Sequence, residues 1–148
     1  MKKQIFGLMA LILCACAGFT ACSDDDDDDN DDIKSGIVGL WQETHCIDWT
    51  EGYDGQYNPE AWEEESDTRV EFKGNGTAVF HEYYNGIWNY EGEVSYKISG
   101  NNILFDDNYA GPETTTIDEL TNSTLIVTEK GNDDGRTFIV RTKFARIG

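Results

Sequence analysis

From Ile37 to Ile147 apolar and polar residues alternate in short runs broken by turn residues, with little helical periodicity. The pattern predicts eight strands, over about Val38–Ile47, Thr68–Lys73, Thr77–Tyr84, Ile87–Ile98, Ile103–Asp106, Thr114–Leu120, Thr124–Lys130 and Arg136–Arg146. Gly74-Asn75-Gly76 and Asn85-Gly86 close tight hairpins, because these residues tolerate the positive φ that such turns need. In the fourth strand Trp88, Tyr90, Gly92, Val94, Tyr96 and Ile98 share one parity, and Gly92 in the interior suggests a bulge or bend. Every connection after the second strand is short, so neighbouring strands should pair antiparallel as a meander. Eight strands in that order close into a barrel, which removes exposed edges. The expected fold is therefore all-β, an eight-stranded up-and-down barrel.

The long link between the first two strands, Asp48 to Asp67, breaks the pattern. Loops of this length in compact domains tend to be functional lids or disordered segments. Asn58 as a cap, Pro59 in a first turn and the acids that follow predict a short helix over Pro59–Glu65.

The first 36 residues carry a different pattern. Lys2 and Lys3 precede an apolar stretch from Ile5 to Phe19, too short to span a bilayer and built like a signal peptide. Its end, Phe19-Thr20-Ala21-Cys22, resembles the lipobox of bacterial lipoproteins, which implies removal of residues 1–21 and acylation of Cys22. Residues 22–36 hold the acidic run Asp24–Asp29 with Asp31 and Asp32, and the pattern predicts an extended, disordered tether before a domain over 37–148. Acids directly after the lipidated cysteine also resemble the surface-export signal of lipoproteins from one phylum of Gram-negative bacteria. The resemblance implies an outer-membrane lipoprotein exposed at the cell surface, with the inner leaflet as the fallback.

The formal charge is −18, and from Ile33 onward 21 acidic side chains face nine basic ones. Such a domain repels phosphate backbones, which excludes nucleic acid as a partner. Cys46 is the one cysteine of the folded part, so no internal disulfide is available and the core must hold the domain. Two histidines without matched spacing, His45 and His81, give no reason to expect a metal, and no cofactor is expected. Carboxylates occur at every spacing and single out no catalytic pair, so no enzymatic role is expected.

Gly39-Leu40-Trp41 resembles the Gly-x-Trp signature that opens the lipocalins and lipocalin-like families. The chain from Ile37 to Ile147 is also similar to short lipocalin-like domains of exported bacterial lipoproteins. The segments that carry this likeness are Phe72-Lys73-Gly74-Asn75-Gly76-Thr77, Trp88-Asn89-Tyr90, Ile98-Ser99-Gly100-Asn101 and Phe144-Ala145-Arg146. The resemblance implies a barrel of lipocalin type in which Trp41 plugs the closed end. It also implies a basic residue of the last strand over that ring, Arg146 as first choice and Arg141 as second. The chain is shorter than full-length lipocalins and lacks their disulfide and a clear C-terminal helix.

Glu43 and His45 share the parity of Trp41, so they face inward unless a bulge reverses the alternation, and both alternatives stay open. Trp49, Tyr53 and Trp62 on the long loop, with Trp88 and Tyr90 on the fourth strand, complete the expected ligand-binding set. The leading expectation is a monomeric, lipid-anchored binding module that holds a small apolar or amphipathic ligand at the open end of the barrel. The alternative is an accessory lipoprotein with a filled barrel, whose loop aromatics dock a surface protein or a glycan.

Overall fold

The computed structural model describes residues 28–107 and 111–148, so the expected signal peptide and Cys22 lie outside the described residues. Helix α1 (Asp28–Ile37) leads into strands β1 (Gly39–Thr50), β2 (Glu63–Glu64), β3 (Thr68–Phe72), β4 (Thr77–Tyr84) and β5 (Ile87–Ser99). Strands β6 (Asn102–Asp107), β7 (Gly111–Leu120), β8 (Thr124–Asp133) and β9 (Arg136–Arg146) complete the chain. All pairings are antiparallel, and β1 pairs with β9 to close the sheet. The two residues of β2 share the edge of β1 with β3, which leaves eight positions around the wall. The expected eight-stranded meander barrel is the observed fold.

The eight predicted strands appear within a few residues of their expected ends. Asn85 and Gly86 both have positive φ (53° and 83°), the geometry of a two-residue hairpin. Two expectations are corrected. The helix expected over Pro59–Glu65 is absent. Asn58 does accept a hydrogen bond from the Glu60 N–H (3.0 Å), but the chain makes one turn and then pairs β2 with His45 and Cys46. The free edge of β1 offers ladder bonds such as Glu65 N–H to Thr44 carbonyl (3.1 Å), whereas a helix would set Glu60 beside the like charges of Glu63 and Glu64.

The second correction concerns the tether, which is helical rather than extended from Asp28 onward. Ile33 and Ile37, one turn apart, give α1 an apolar side, and both pack on the barrel core. The helix touches β5 and β7 and closes one end of the barrel. The Trp41 indole N–H donates to the Ile37 carbonyl (2.8 Å), which ties the helix end to the barrel floor.

The same end is sealed by Trp41, Phe72, Ala78, Ile103, Leu125 and Phe144, all buried. At the opposite end lie the long loop, the β4–β5 hairpin and the turn at Asp134-Gly135, so the mouth is there.

Candidate functional site

Strand pairing decides which side chains face the lumen, because residues directly paired across a ladder point to the same side. Trp41, Glu43 and Phe144 share the inner side at the floor. A bulge at Thr44 then shifts the alternation, so Cys46 and Asp48 continue the inner face opposite Thr142 and Val140. His45 pairs with Lys143 and faces out. Of the two alternatives for this strand, Glu43 follows one and His45 the other.

A second bulge, at Glu91 of β5, does the same to the expected aromatic row. Gly92 pairs with Phe80 on the inner side, but Tyr90 pairs with His81 and Trp88 with Tyr83 on the outer side. Trp88 lies beneath the Arg69 guanidinium, 3.9 Å from its ring centroid, and Tyr90 is 61% exposed. Neither lines the lumen.

Trp49 and Trp62 are held on the outside of the wall, and Tyr53 stands at the rim. Arg136 stacks on Tyr53 (4.3 Å) and Arg141 on Trp62 (5.0 Å), while the Trp49 indole donates to the Gly55 carbonyl (2.7 Å) and its ring meets Tyr57 edge-on. Arg141, the second choice for the stack on Trp41, thus faces outward. Its guanidinium is fixed by Asp118 (3.3 Å) and donates to the Pro59 carbonyl (3.3 Å). Arg146 takes the floor position, its guanidinium 4.2 Å from the Trp41 centroid and donating to the carbonyls of Val38, Gly36 and Asn122. Gly39 leaves room for this: a Cβ there would lie 2.7 Å from the Gly148 carbonyl oxygen and would strike Arg146.

Inside the barrel, polar groups occupy a layer just above the floor. Glu43 is 0% exposed, and Thr115, Thr142, Glu129 and Cys46 are buried with it. Neither carboxyl oxygen of Glu43 makes a hydrogen bond of good geometry. Its pKa is pushed up to about 8, by burial first and then by the negative charges of Glu65 and Asp67; the nearby hydroxyl and backbone of Thr68 offset part of this. Burial, with the charges of Glu43, Asp48, Glu65 and Glu63, pushes the Cys46 thiol up to about 12, so it is not a nucleophile at neutral pH.

Above this layer the inner face changes character. Thr68, Phe80, Glu82, Val94, Phe138 and Val140 point inward by their pairing yet are only half-buried. Along the inner face burial is therefore complete at the floor and falls toward the mouth, between apolar side chains with carboxylates at intervals. Burial also raises the Glu82 carboxyl above its usual range, helped by the charges of Glu91 and Asp67. Among the described residues no cluster of His, Cys, Asp and Glu is arranged to hold a metal ion.

Sequence reasoning found Glu43, Trp41, Gly39 and Arg146 but missed Thr115, Glu129 and the arginines that pin the loop. Parity carried the first two, since Thr115 shares that of Ile117 in β7 and Glu129 that of Leu125 and Val127 in β8; only pairing between strands shows the arginines.

The family model of the lipocalin-like domain matches residues 37–127. Among solved structures, the chain is similar to an uncharacterized protein from Bacteroides eggerthii, at 16% identity over 72% of this chain and 98% of that one, with a TM-score of 0.45. It is also similar to bovine odorant binding protein in complex with a selenium-containing odorant, at 16% identity over 77% and 75% of the two chains, with a TM-score of 0.47. A third likeness is the bovine lipocalin allergen Bos d 2, at 15% identity over 76% and 73%, with a TM-score of 0.45. No curated protein matches the chain.

Proposed function

This chain belongs to the lipocalin-like domain family, and from that membership we propose that it is a non-enzymatic binding module holding a small apolar or amphipathic molecule in the mouth half of its barrel. One observation carries the reading: inward apolar side chains are sealed around Trp41 but only half-buried from Phe80 and Val94 to Phe138 and Val140. A barrel of eight strands has room for one small ligand where its own side chains do not fill it. Trp41, Gly39 and Arg146 build the floor, and the arginine-pinned loop stands at the rim.

The module is anchored by acyl chains on Cys22 and displayed at the outer membrane, on the cell surface. The lipobox-like Phe19-Thr20-Ala21-Cys22 and the acids after it support this placement. Mass spectrometry of the N-terminal peptide should find it beginning at an acylated Cys22. A Cys22→Ala chain should leave the membrane fraction; membrane retention of that variant refutes the anchor.

Native mass spectrometry of the protein, before and after organic extraction, tests the ligand. A retained small mass lost on extraction is expected. The same bare mass in both samples, together with no binding of added apolar probes, refutes the carrier reading.

A second reading, docking of a surface protein or glycan, is favoured by exposed aromatics. Tyr53 is 74% exposed on the loop, and Tyr83, Tyr84, Ile87 and Tyr90 are exposed on the β4–β5 ribbon. Alanine changes at these positions that abolish partner capture while leaving probe binding intact would favour it.

A further inference from the structure

Glu43 is the side chain that the barrel leaves unexplained. It faces inward beside Trp41 and Phe144, is 0% exposed, and neither carboxyl oxygen makes a hydrogen bond of good geometry, Thr68 being the uncharged polar neighbour that acts on it. A buried carboxyl in this state is costly in either form. Ionised, it forfeits its hydration; protonated, it leaves its donor and acceptor poorly satisfied. An apolar residue of similar size would avoid the cost, so the group calls for a partner that enters from elsewhere.

The charges around the lumen select what that partner is. By strand pairing Asp48, Glu82 and Glu129 also lie on inner positions, and Glu65 and Asp67 stand close enough to raise the Glu43 pKa. The basic residues go elsewhere. Arg69, Lys97, Lys130, Arg141 and Lys143 pair on the outer side and Arg146 is committed below Trp41, while Arg136, at the rim end of the inner face opposite Asp133, is stacked on Tyr53. Among the described residues no basic side chain faces the lumen between floor and rim. An anionic headgroup would therefore be repelled, and a neutral one would leave the carboxylate unpaired.

We propose that Glu43 is the recognition residue for an organic ammonium group, so that the barrel takes amphipathic molecules with an apolar body and one cationic nitrogen. This rests on the reading of the barrel as a small-molecule binder and names the ligand class. The apolar body lies along Phe80, Val94 and Val140, and the ammonium reaches down past Thr68 to the Glu43 carboxylate. The ligand gains access by parting the half-buried side chains above Glu43. A charge-assisted hydrogen bond formed away from water is about twice as strong as a neutral one. Protonated before binding, Glu43 ionises on meeting the ammonium, and the proton leaves to solvent. The carboxylates Glu65 and Asp67 beside β3 and the neutral Cys46 thiol on β1 are the titratable groups around it.

The test uses isothermal titration of the full chain in zwitterionic nanodiscs, with protein-free discs as the blank. Octylammonium, 1-octanol and octanoate serve as probes with one common tail. Octylammonium should bind at least tenfold tighter than octanol, and octanoate more weakly than either. Titrations at pH 7 in two buffers of different ionisation enthalpy should show close to one proton released with octylammonium. Glu43→Gln should bring octylammonium down to the affinity of octanol and abolish the proton release. Octanol binding as tightly as octylammonium, or a preference that persists in Glu43→Gln, overturns the assignment while leaving the carrier reading intact. If none of the three probes binds, the carrier reading falls with it. Should Glu43→Gln fail to fold, binding of octylammonium to the native chain without proton release overturns the proposal.

Discussion

At the residue scale, Gly39, Trp41 and Arg146 act as one device. The backbone of Gly39 has φ of 144°, and the space where its Cβ would stand is taken by Arg146 and the Gly148 carbonyl. Arg146 covers Trp41 and satisfies three backbone carbonyls, including two near the end of α1. Cation–π stacking contributes about 0.5–2 kcal/mol and each hydrogen bond to a charged group about 1.5–3. Arg146→Ala should therefore destabilise the domain by about 3 kcal/mol or more in urea unfolding, and Arg146→Lys by nearly as much because the three donors of an ammonium radiate from one nitrogen and do not span carbonyls that three separate guanidinium nitrogens reach. Gly39→Ala should cost about as much, since it forces Arg146 aside.

Glu43 belongs to the same scale and has the opposite sign. Its folded pKa, about 8, stands above the ordinary value of 4.5, so the folded state holds the proton more tightly than the unfolded chain. The stability linked to this proton is fully present below pH 4.5, is lost as the pH rises from there to about 8, and stays lost above it. The loss is on the order of 3–5 kcal/mol. Glu43→Gln has no proton to lose. Urea unfolding at pH 5, 7 and 9 should show the difference between native and variant chains moving in favour of the variant by that amount. Parallel pH profiles of the two would show that Glu43 ionises freely in the fold.

At the scale of elements, strand positions and hairpins were legible because alternation and turn chemistry are local properties of the chain. Bulges are not. Trp88 and Tyr90 share sequence parity with Tyr96, and only the extra residue Glu91, unpaired between Phe80 and His81 of β4, sends them to the outer wall. A glycine at 92 marked the region without saying on which side the row would break. The helix expected at Pro59 shows the same limit: its capping residue works as read, but the open edge of β1 competes for the backbone that follows. Glu43 was legible as an inward carboxyl from its spacing to Trp41, whereas its want of a well-placed hydrogen bond depends on strands distant in sequence.

Bulges also fasten the long loop. The extra residue of β7, Asp118, is aimed outward, where it accepts from Thr128 and Arg141; Arg141 in turn holds Trp62 and the Pro59 carbonyl. An exposed ion pair alone contributes little, about 0–1 kcal/mol, but here one guanidinium joins the loop to the wall. Arg141→Ala should thus leave global stability within about 1 kcal/mol of the native value while local opening of residues 51–62 becomes easier. Limited proteolysis should cut that segment several times faster in the variant, and an unchanged rate would show that Trp49 and Tyr53 suffice to hold it.

At the scale of the whole molecule two electrostatic effects coexist and separate by depth. From Ile33 onward 21 acids face nine bases, a net −12 carried mainly at the surface. Self-repulsion of this kind opposes the compact state and is screened over a Debye length of about 10 Å at 0.1 M salt. The melting temperature should therefore climb by a few degrees between about 10 and 300 mM NaCl, where the Debye length shrinks roughly fivefold. Glu43 responds to a different cause, desolvation beneath the lumen, which mobile ions do not reach. The salt gain should accordingly be the same in Glu43→Gln as in the native chain, even though the pH dependence differs between them. A salt gain that disappears in the variant would place the repulsion in the lumen, between Glu43, Glu65 and Asp67, and would make the interior rather than the surface the seat of the excess charge.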